Sequence, residues 1–251
     1  MKLTRRNFIS KSSFGLPLLP ITFSWNSTLS LKKEKHSPLK EGDVILFQGD
    51  SITDSNREKT KELPNDSFSL GSGYAFMGAS QLLFSNPNKK LKIYNRGISG
   101  NKVFQLDERW EKDCVNLKPD FVSILIGVND YWHKRDKVYD GTIDVFEKDY
   151  RGLLNKTIEQ LPLVKFIICE PFILMGSKVD KSWIGPFAEY QKITKKLADE
   201  FNSLWVPFQE TFNHAVEFAP PSYWAPDGVH PSIAGNQLMA NKWLKIINSK
   251  E

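Results

Sequence analysis

A serine, a histidine and an aspartate in two short segments of the chain could together attack a carbonyl carbon. Gly49-Asp50-Ser51 supplies a hydroxyl, and His230 follows Asp227 by three residues. A serine hydroxyl is a poor nucleophile until a base takes its proton, and histidine titrates in the range that this task requires. A nearby carboxylate can fix the imidazole tautomer and stabilise its charge. We therefore predict Ser51 as the nucleophile, His230 as the base and Asp227 as the acid that orients it.

These residues also have ordinary structural interpretations. Gly-Asp-Ser is common turn chemistry at the end of a strand, so Ser51 could lie in a simple turn. His230 could stand at the entry to a helix, with the aspartate as a turn residue. The chain has four histidines, and the other three are poorer candidates for a base. His36 falls in a predicted linker, and His133 and His214 lack a nearby acid in a plausible loop.

Three hydrogen-bond donors are predicted to complete this site. The negative charge that forms on an attacked carbonyl oxygen needs donors that are in place before the reaction. Gly100 could offer a backbone N–H with no side chain in the way, Asn129 a side-chain N–H, and Ser51 its own amide. The structural alternatives are a loop glycine with positive φ and a turn asparagine. Neither alternative explains why both residues occur together with the serine and the histidine.

The elements that would position these residues alternate along the chain. The predicted strands cover residues 44–47, 91–95, 121–126, 164–169 and 204–208, and the predicted helices 73–85, 103–112, 143–160, 186–202 and 232–247. The strands are short and nearly continuously apolar, as in parallel strands buried on both faces. This alternation predicts a doubly wound α/β sheet with right-handed crossovers. Chemistry in such a sheet gathers beyond the carboxyl ends of the strands, where the candidate residues fall.

Four segments resemble the consensus blocks of the SGNH, or GDSL, hydrolases. They are Gly49-Asp50-Ser51, 95–100, Gly127-Val128-Asn129-Asp130 and 227–231, and Ser51, Gly100, Asn129 and His230 match the four letters of the family name. The resemblance covers about residues 43 to 247. The first block reads GDSI where the family name has GDSL, and the third agrees with the family pattern. No GxSxG elbow occurs, which disfavours an ordinary α/β-hydrolase.

The resemblance implies a three-layer, flavodoxin-like fold with about five parallel strands. It also implies hydrolysis of an ester through an acyl-serine, without a metal or another cofactor. The family includes lipases, thioesterases, arylesterases and carbohydrate acetylesterases, so membership does not choose a substrate.

Aromatic residues beside the catalytic segments favour a glycan substrate. Tyr131 and Trp132 follow Asn129, and Tyr223 and Trp224 precede Asp227. Sugar rings can pack their C–H faces on such side chains, although core or rim packing is the alternative for each ring. We predict Tyr131, Trp132 and Trp224 as substrate contacts.

Two carboxylates and one arginine are further candidates near the cleft. Asp50 stands beside Ser51, and Glu170 ends a predicted strand, so both are predicted substrate contacts. A buried structural carboxylate, or one on the solvent rim, is the alternative for Glu170. Arg96 could contact a substrate carboxylate or pair with a surface acid.

The predicted function is that of a serine esterase that removes O-acetyl groups from polysaccharides or oligosaccharides. The predicted partner is therefore an acetylated glycan or another small ester. One alternative is a lipase, arylesterase or thioesterase that acts on small or lipid esters. Another, from a different class, is a non-catalytic glycan-binding relative that keeps the fold.

The basic charge of the chain is concentrated at its start. Residues 1–40 carry eight Lys or Arg against one acid, a net charge of +7, and the remaining 26 basic and 28 acidic residues leave −2. The predicted domain is thus close to neutral, which does not support a nucleic-acid partner. The two cysteines, Cys114 and Cys169, are far apart in sequence and are predicted to be separate buried thiols rather than a disulfide.

Residues 1–30 predict an export signal. The basic start precedes an apolar run at 14–23, and Thr4-Arg5-Arg6-Asn7-Phe8-Ile9 resembles a twin-arginine signal. A plain secretory signal is the alternative, and both predict a periplasmic or secreted protein. The apolar run is too short and too interrupted by proline to span a bilayer, so no stable membrane anchor is expected. Residues 31–41 are predicted as a linker and 42–249 as the hydrolase domain.

Overall fold

The predicted parallel sheet forms within residues 39–249, the part of the chain that this computed structural model describes. Its strands are β1 (Val44–Gly49), β2 (Lys92–Asn95), β3 (Phe121–Leu125), β4 (Lys165–Cys169) and β5 (Leu204–Val206). All neighbouring pairs are parallel, in the order β2-β1-β3-β4-β5. The order reverses direction at β1 and β3, as in a doubly wound fold. The fold class is therefore confirmed.

Eleven α-helices connect or flank these strands in residues 39–249. They are α1 (Ser51–Asp54), α2 (Ser67–Leu70), α3 (Tyr74–Ser85), α4 (Val103–Glu108), α5 (Trp110–Asp113), α6 (Val128–Arg135), α7 (Ile143–Gln160), α8 (Lys181–Glu200), α9 (Phe208–Ala215), α10 (Pro221–Trp224) and α11 (Ile233–Ile247). Short 3-10 turns lie at Pro87–Lys89 and Val115–Leu117. None of the helices in this range is both long and apolar enough to cross a membrane.

Two adjacent residues of β1 show that the sheet is covered on both faces. The ring of Phe47 packs against Trp243 of α11, with ring centroids 4.7 Å apart. Gln48 points the opposite way, and its Nε2 donates to the Asp113 carbonyl of α5 over 2.8 Å. Successive side chains of a strand alternate between faces, so the continuous burial of β1 and β3 requires helices on both sides.

Two predicted helices differ from the structure, and α6 is a helix that was not predicted. The helix predicted at 186–202 begins at Lys181, because Asp180 caps it by accepting from the Ser182 amide at 2.8 Å, and Pro186 is accommodated inside it. The helix predicted at 103–112 is broken at Arg109 into α4 and α5. Asn129 lies in the first turn of α6.

Some predictions on the chain's organisation lie outside the described residues. These are the export signal at 1–30 and the linker at 31–41 up to residue 38. Cys114 and Cys169 are both buried and unpaired, as predicted.

Candidate active site

Ser51 lies where β1 passes directly into α1. Gly49 ends the strand with φ +155°, and a Cβ there would stand 2.3 Å from the Leu125 carbonyl oxygen, so this turn requires glycine. Asp50 then caps α1, since its Oδ1 accepts from the Ile52 amide over 3.0 Å. Ser51 is the first residue of the helix and is partly exposed. The local sequence thus presents its hydroxyl at the carboxyl edge of the sheet.

His230 reaches this hydroxyl from the loop before α11. Its Nε2 is 2.9 Å from Ser51 Oγ, and its Nδ1 is 2.7 Å from Asp227 Oδ2. The other oxygen of Asp227 accepts the backbone N–H groups of Val229 and His230 at 2.9 and 2.7 Å. The structure therefore brings the serine, the imidazole and the carboxylate into one hydrogen-bonded series.

The environment of Asp227 favours its ionised form. Partial burial of the carboxyl raises its pKa, but the hydrogen bonds from the His230 side chain and from two backbone amides outweigh burial. The net result is a pKa of Asp227 below its ordinary value. A carboxylate that stays charged can stabilise a protonated imidazole beside it.

Two contacts hold the histidine loop in place. The carbonyl of Gly228 accepts from the Leu174 amide at 2.8 Å, which joins this loop to the segment after β4. On the other side, Asn236 accepts from the Tyr74 amide at 2.9 Å and donates to the carbonyls of Pro231 and Ser232 at 3.1 and 3.0 Å. The position of His230 is thus defined by contacts with α3 and with the loop that follows β4.

The three predicted oxyanion donors keep unused N–H groups. Within residues 39–249, the backbone N–H groups of Ser51 and Gly100 donate to no protein atom. The buried amide of Asn129 uses one N–H on the Asn101 carbonyl at 3.3 Å, which leaves its second N–H unpaired in this range. Gly100 has φ +81°, a conformation that favours glycine. The unpaired N–H groups of these three residues could therefore donate hydrogen bonds to an anionic oxygen.

A cavity opens beside the serine and the histidine. Its volume is about 480 Å³, and its lining residues are Ser51, Ile52, Ser55, Asn56, Ser99, His230, Pro231 and Asn236. Most of these side chains are polar. Ser55 and Asn56 belong to the long segment between α1 and α3, so part of that segment is a wall of the cavity.

Trp132 lies close to the histidine. Its ring centroid is 6.5 Å from that of His230, and its side chain is partly buried. It stands on α6 one turn after Asn129, so the same helix carries an amide donor and an aromatic ring toward the site. Trp132 therefore remains a candidate substrate contact.

The predictions for Tyr131 and Asp50 as substrate contacts are wrong. Tyr131 is 6% exposed and packs edge-on against Trp183, Phe187 and Tyr190 of α8, which makes it a core residue. Asp50 is 1% exposed and serves as the cap of α1. Its burial raises its pKa to about 7. Neither side chain is available to a ligand in the cavity.

Glu170 and Trp224 have structural roles away from the cavity, so their predictions are also corrected. Glu170 Oε2 accepts from the Gln209 amide at 2.9 Å in the first turn of α9. The indole N–H of Trp224 is directed at the carbonyls of Ala215 and Ala219, each at 3.1 Å, and its ring lines a different cavity.

Arg96 pairs with an acid, which was one of its two sequence interpretations. Its Nη1 is 3.1 Å from Glu62 Oε1, and the arginine is buried rather than on the surface.

Sequence reasoning gave no role to several residues around the cavity. Ser99 stands inside the segment 95–100 and Asp54 lies three residues after Ser51, but only the structure shows that their side chains meet. Asn236 carries no pattern in the sequence that singles it out from other helical asparagines.

Comparison with known proteins agrees with this geometry. The chain matches the GDSL-like Lipase/Acylhydrolase family over residues 47–238. It is 37% identical over 209 residues to an acetylxylan esterase from Geobacillus stearothermophilus, which covers 82% of this chain and 94% of that protein. A crystal structure from Parabacteroides merdae, named a GDSL-like lipase, is 50% identical with a TM-score of 0.82 and covers 85% of this chain and 99% of that one.

The crystal structure of Axe2, an acetylxylan esterase from G. stearothermophilus, is also similar. It is 36% identical with a TM-score of 0.75, and the match covers 84% of this chain and 97% of that one. The family match contains both the serine and the histidine segments. The chain therefore belongs to the GDSL-like lipase/acylhydrolase family, and it is a carboxylic ester hydrolase.

Proposed function

We propose that this protein removes O-acetyl groups from acetylated xylan or xylo-oligosaccharides through an acyl-serine. The observation that carries the proposal is the hydrogen-bonded series of Ser51, His230 and Asp227, of which Ser51 and His230 line a mostly polar cavity. The substrate is suggested by relatives named acetylxylan esterase and acetyl-xylooligosaccharide esterase.

In the first half of the reaction, the serine takes the acetyl group. Ser51 Oγ attacks the acetyl carbonyl carbon while its proton passes to His230 Nε2 over the 2.9 Å hydrogen bond. The carbonyl oxygen becomes negative and is stabilised by the N–H groups of Ser51, Gly100 and Asn129. The bond to the sugar oxygen then breaks, and the imidazolium returns the proton to that oxygen, so the sugar leaves as an alcohol.

In the second half, water removes the acetyl group from the serine. His230 takes a proton from the water, and the resulting hydroxide attacks the acetyl carbon. The same donors stabilise the second oxyanion. Collapse of this intermediate breaks the bond to Ser51 Oγ, which recovers its proton, and acetate is released.

The triad assignment has independent support from the relatives. Catalytic mutants of the G. stearothermophilus esterase have been crystallised in which a serine, an aspartate and a histidine are each replaced by alanine. In that protein the aspartate precedes the histidine by three positions. Asp227 and His230 have the same spacing here.

The cavity supports a short acyl group. Six of the eight residues that line it are polar, which suits an acetyl group on a sugar better than a long chain, whose CH₂ groups would each gain roughly 0.8 kcal/mol in an apolar lipase groove. A glycan is also consistent with Trp132, whose ring stands near His230.

The deciding experiment measures acetate release from a panel of acetylated polysaccharides, together with hydrolysis of p-nitrophenyl acetate and octanoate. We expect acetylated xylan to be the best polymer. The octanoate should be cleaved slower by on the order of 10–200-fold, because added methylenes gain little against a cavity lined mostly by polar residues. A preference for octanoate would favour the lipase alternative over the proposal. Acetate release from other acetylated polymers but not from xylan would mean that the substrate is a glycan other than xylan.

Asn129→Ala tests the oxyanion donors. Because the asparagine N–H matters mainly once charge develops, we expect kcat to fall by about 10²–10³ with little change in KM. The measurement is steady-state kinetics with p-nitrophenyl acetate. A rise in KM alone would make Asn129 a binding residue and leave the oxyanion with two donors.

Trp132→Ala tests the glycan contact. The variant should lose roughly fivefold in kcat/KM on acetylated xylo-oligosaccharide, since a stacked ring contributes about 1 kcal/mol, while p-nitrophenyl acetate should be affected less. Trp224→Ala is the matched control, because that ring lines another cavity. Equal losses of Trp132→Ala on both substrates would contradict a sugar contact.

Export is part of the proposal and rests on the sequence alone. The basic start, the twin-arginine pattern and the apolar run at 14–23 support it. An exported enzyme would meet polysaccharides outside the cytoplasm.

A further inference from the structure

The side chain of Asp54 joins the helix that carries Ser51 to the loop that carries Gly100. Asp54 Oδ2 accepts both the backbone N–H of Ser99 at 2.9 Å and its hydroxyl at 2.7 Å. Lys59 Nζ donates to Oδ1 at 3.0 Å and lies 2.9 Å from Oδ2. The carboxylate is 1% exposed, so the two segments are bridged by a fully buried charged group.

The loop itself approaches α1 closely. A Cβ on Gly97 would stand 2.4 Å from the Asp54 amide nitrogen, so the two backbones touch at this point. Arg57 adds a second link, since its Nε donates to the Gly97 carbonyl at 2.7 Å. The turn that follows Ser51 therefore holds residues 97 to 99 through both backbone and side-chain contacts.

Gly100 lies just beyond these contacts. A Cβ built on it would meet no atom within 4 Å, so the space beside its Cα is open. The Asn101 amide donates to the Ile98 carbonyl at 3.2 Å and closes the turn that contains Ser99 and Gly100. The Gly100 N–H belongs to the peptide group shared with Ser99, so its direction depends on how Ser99 is held within this turn.

The charge on Asp54 strengthens this link. Burial raises the pKa of Asp54, but hydrogen bonds from the Ser99 hydroxyl, Lys59 and the Ser99 amide outweigh it and bring the pKa below the ordinary value. The carboxylate is thus ionised at neutral pH. Hydrogen bonds to an ionised acceptor are shorter and roughly twice as strong as neutral ones.

We propose that Asp54 is a positioning residue of the oxyanion hole, which holds Ser99 so that the Gly100 N–H is directed at the developing oxyanion. It acts through Ser99 and touches no substrate. The inference rests on the proposed function, because it assumes that Gly100 donates to an acyl oxygen during attack by Ser51.

The main test compares Asp54→Ala with the wild-type enzyme. If the Gly100 donor loses its direction, kcat on p-nitrophenyl acetate should fall by about 10²-fold, as for the loss of one donor, with KM within about twofold. The affinity for phenylboronic acid, whose tetrahedral adduct on the serine places an oxygen in the hole, should fall with kcat/KM. Thermal unfolding reports separately on stability.

Asp66→Ala is the matched control, because Asp66 makes the same pair of bonds away from the site. Its Oδ1 accepts from the Ser69 amide and the Ser69 hydroxyl, each at 2.8 Å. Removing this cap should lower the unfolding temperature but leave kcat within about twofold. A loss of kcat in Asp54→Ala that is no greater than in Asp66→Ala would overturn the inference, as would a change in KM alone.

If Asp54→Ala does not fold, two milder variants test whether Asp54 positions the Gly100 N–H. Asp54→Asn keeps the shape but removes the charge, and Ser99→Ala removes only the hydroxyl bond. Each should lower kcat by roughly tenfold, and the double variant should be no worse than Asp54→Asn, because both changes break one link. Unchanged kcat in both single variants would overturn the inference.

The same series separates this inference from the function on which it rests. Turnover that persists in Ser51→Ala would remove the proposed function. An inactive Ser51→Ala together with full activity in the Asp54 variants would remove only the role of Asp54.

Discussion

Ser51→Ala is expected to abolish ester hydrolysis while the protein stays folded. No other group can replace the deleted nucleophile, and losses for such a change are about 10⁶-fold in kcat for comparable hydrolases. Ser51 is partly exposed and its hydroxyl contacts only His230 within residues 39–249, so little stability depends on it. Steady-state kinetics with p-nitrophenyl acetate gives the loss, and thermal unfolding confirms the fold.

A fluorophosphonate probe makes the assignment direct. The wild-type enzyme should gain the mass of one phosphonyl group on the peptide that contains Ser51, and Ser51→Ala should gain none. Ser55→Ala is a suitable comparison, since Ser55 lines the same cavity but its hydroxyl pairs with Ser72 Oγ, 3.5 Å away, instead of with His230. If Ser51→Ala were still labelled, or if its turnover stayed within tenfold of the wild type, Ser51 could not be the nucleophile.

His230→Ala is expected to cost nearly as much as the serine change. The serine and the histidine act as a unit across the 2.9 Å hydrogen bond, so removal of either leaves the other without its function. Asp227→Asn should cost less, about 10⁴-fold, because the amide keeps the shape but favours the wrong imidazole tautomer. Both losses are measured as kcat on p-nitrophenyl acetate.

A double variant tests whether Ser51 and His230 act as a unit. Ser51→Ala with His230→Ala should be no slower than either single variant, whereas independent residues would show multiplied losses. His214→Ala is the matched control, because His214 Nδ1 lies 3.4 Å from Glu217 Oε2 at the same three-residue spacing but on an exposed surface. A drop in His214→Ala similar to that in His230→Ala would point to a general effect on the fold.

The sheet and the catalytic segments could be predicted because their signals are local. The buried strands are short and nearly continuous apolar runs, as β3 shows from Phe121 to Leu125, and their length and β-branched or aromatic residues are typical of parallel strands buried on both faces. The serine and histidine segments fall at the carboxyl ends of these strands or in a loop at the same edge. Topology then brings Ser51 and His230 together without any further information from the sequence.

Helix α6 could not be predicted in this way. Its sequence from Val128 to Arg135 is mostly polar and shows no apolar face of helical period. Tyr131 was misjudged for a related reason, since its burial depends on rings that α8 supplies about fifty residues later. Similarly, the role of Asp50 follows from the cap of a helix only four residues long.

The hydrogen bonds between Asp54 and Ser99 also could not be predicted from the sequence. The two residues are 45 positions apart, and their contact exists because Gly97 lets one backbone lie directly on the other. Contacts of this kind depend on the approach of two loops, which neither propensity nor periodicity encodes.

The anchoring of the histidine loop has a consequence for the order of events during synthesis. The two partners of the hydrogen bond at the site are 179 residues apart, and the loop of His230 is held by Asn236 of α11. That helix in turn packs Trp243 on Phe47 of the first strand. A nascent chain therefore cannot hydrolyse an ester while α11 is still inside the ribosome. Activity should appear only after α11 has emerged, and a truncation after residue 232 should be inactive although it retains all three residues of the triad.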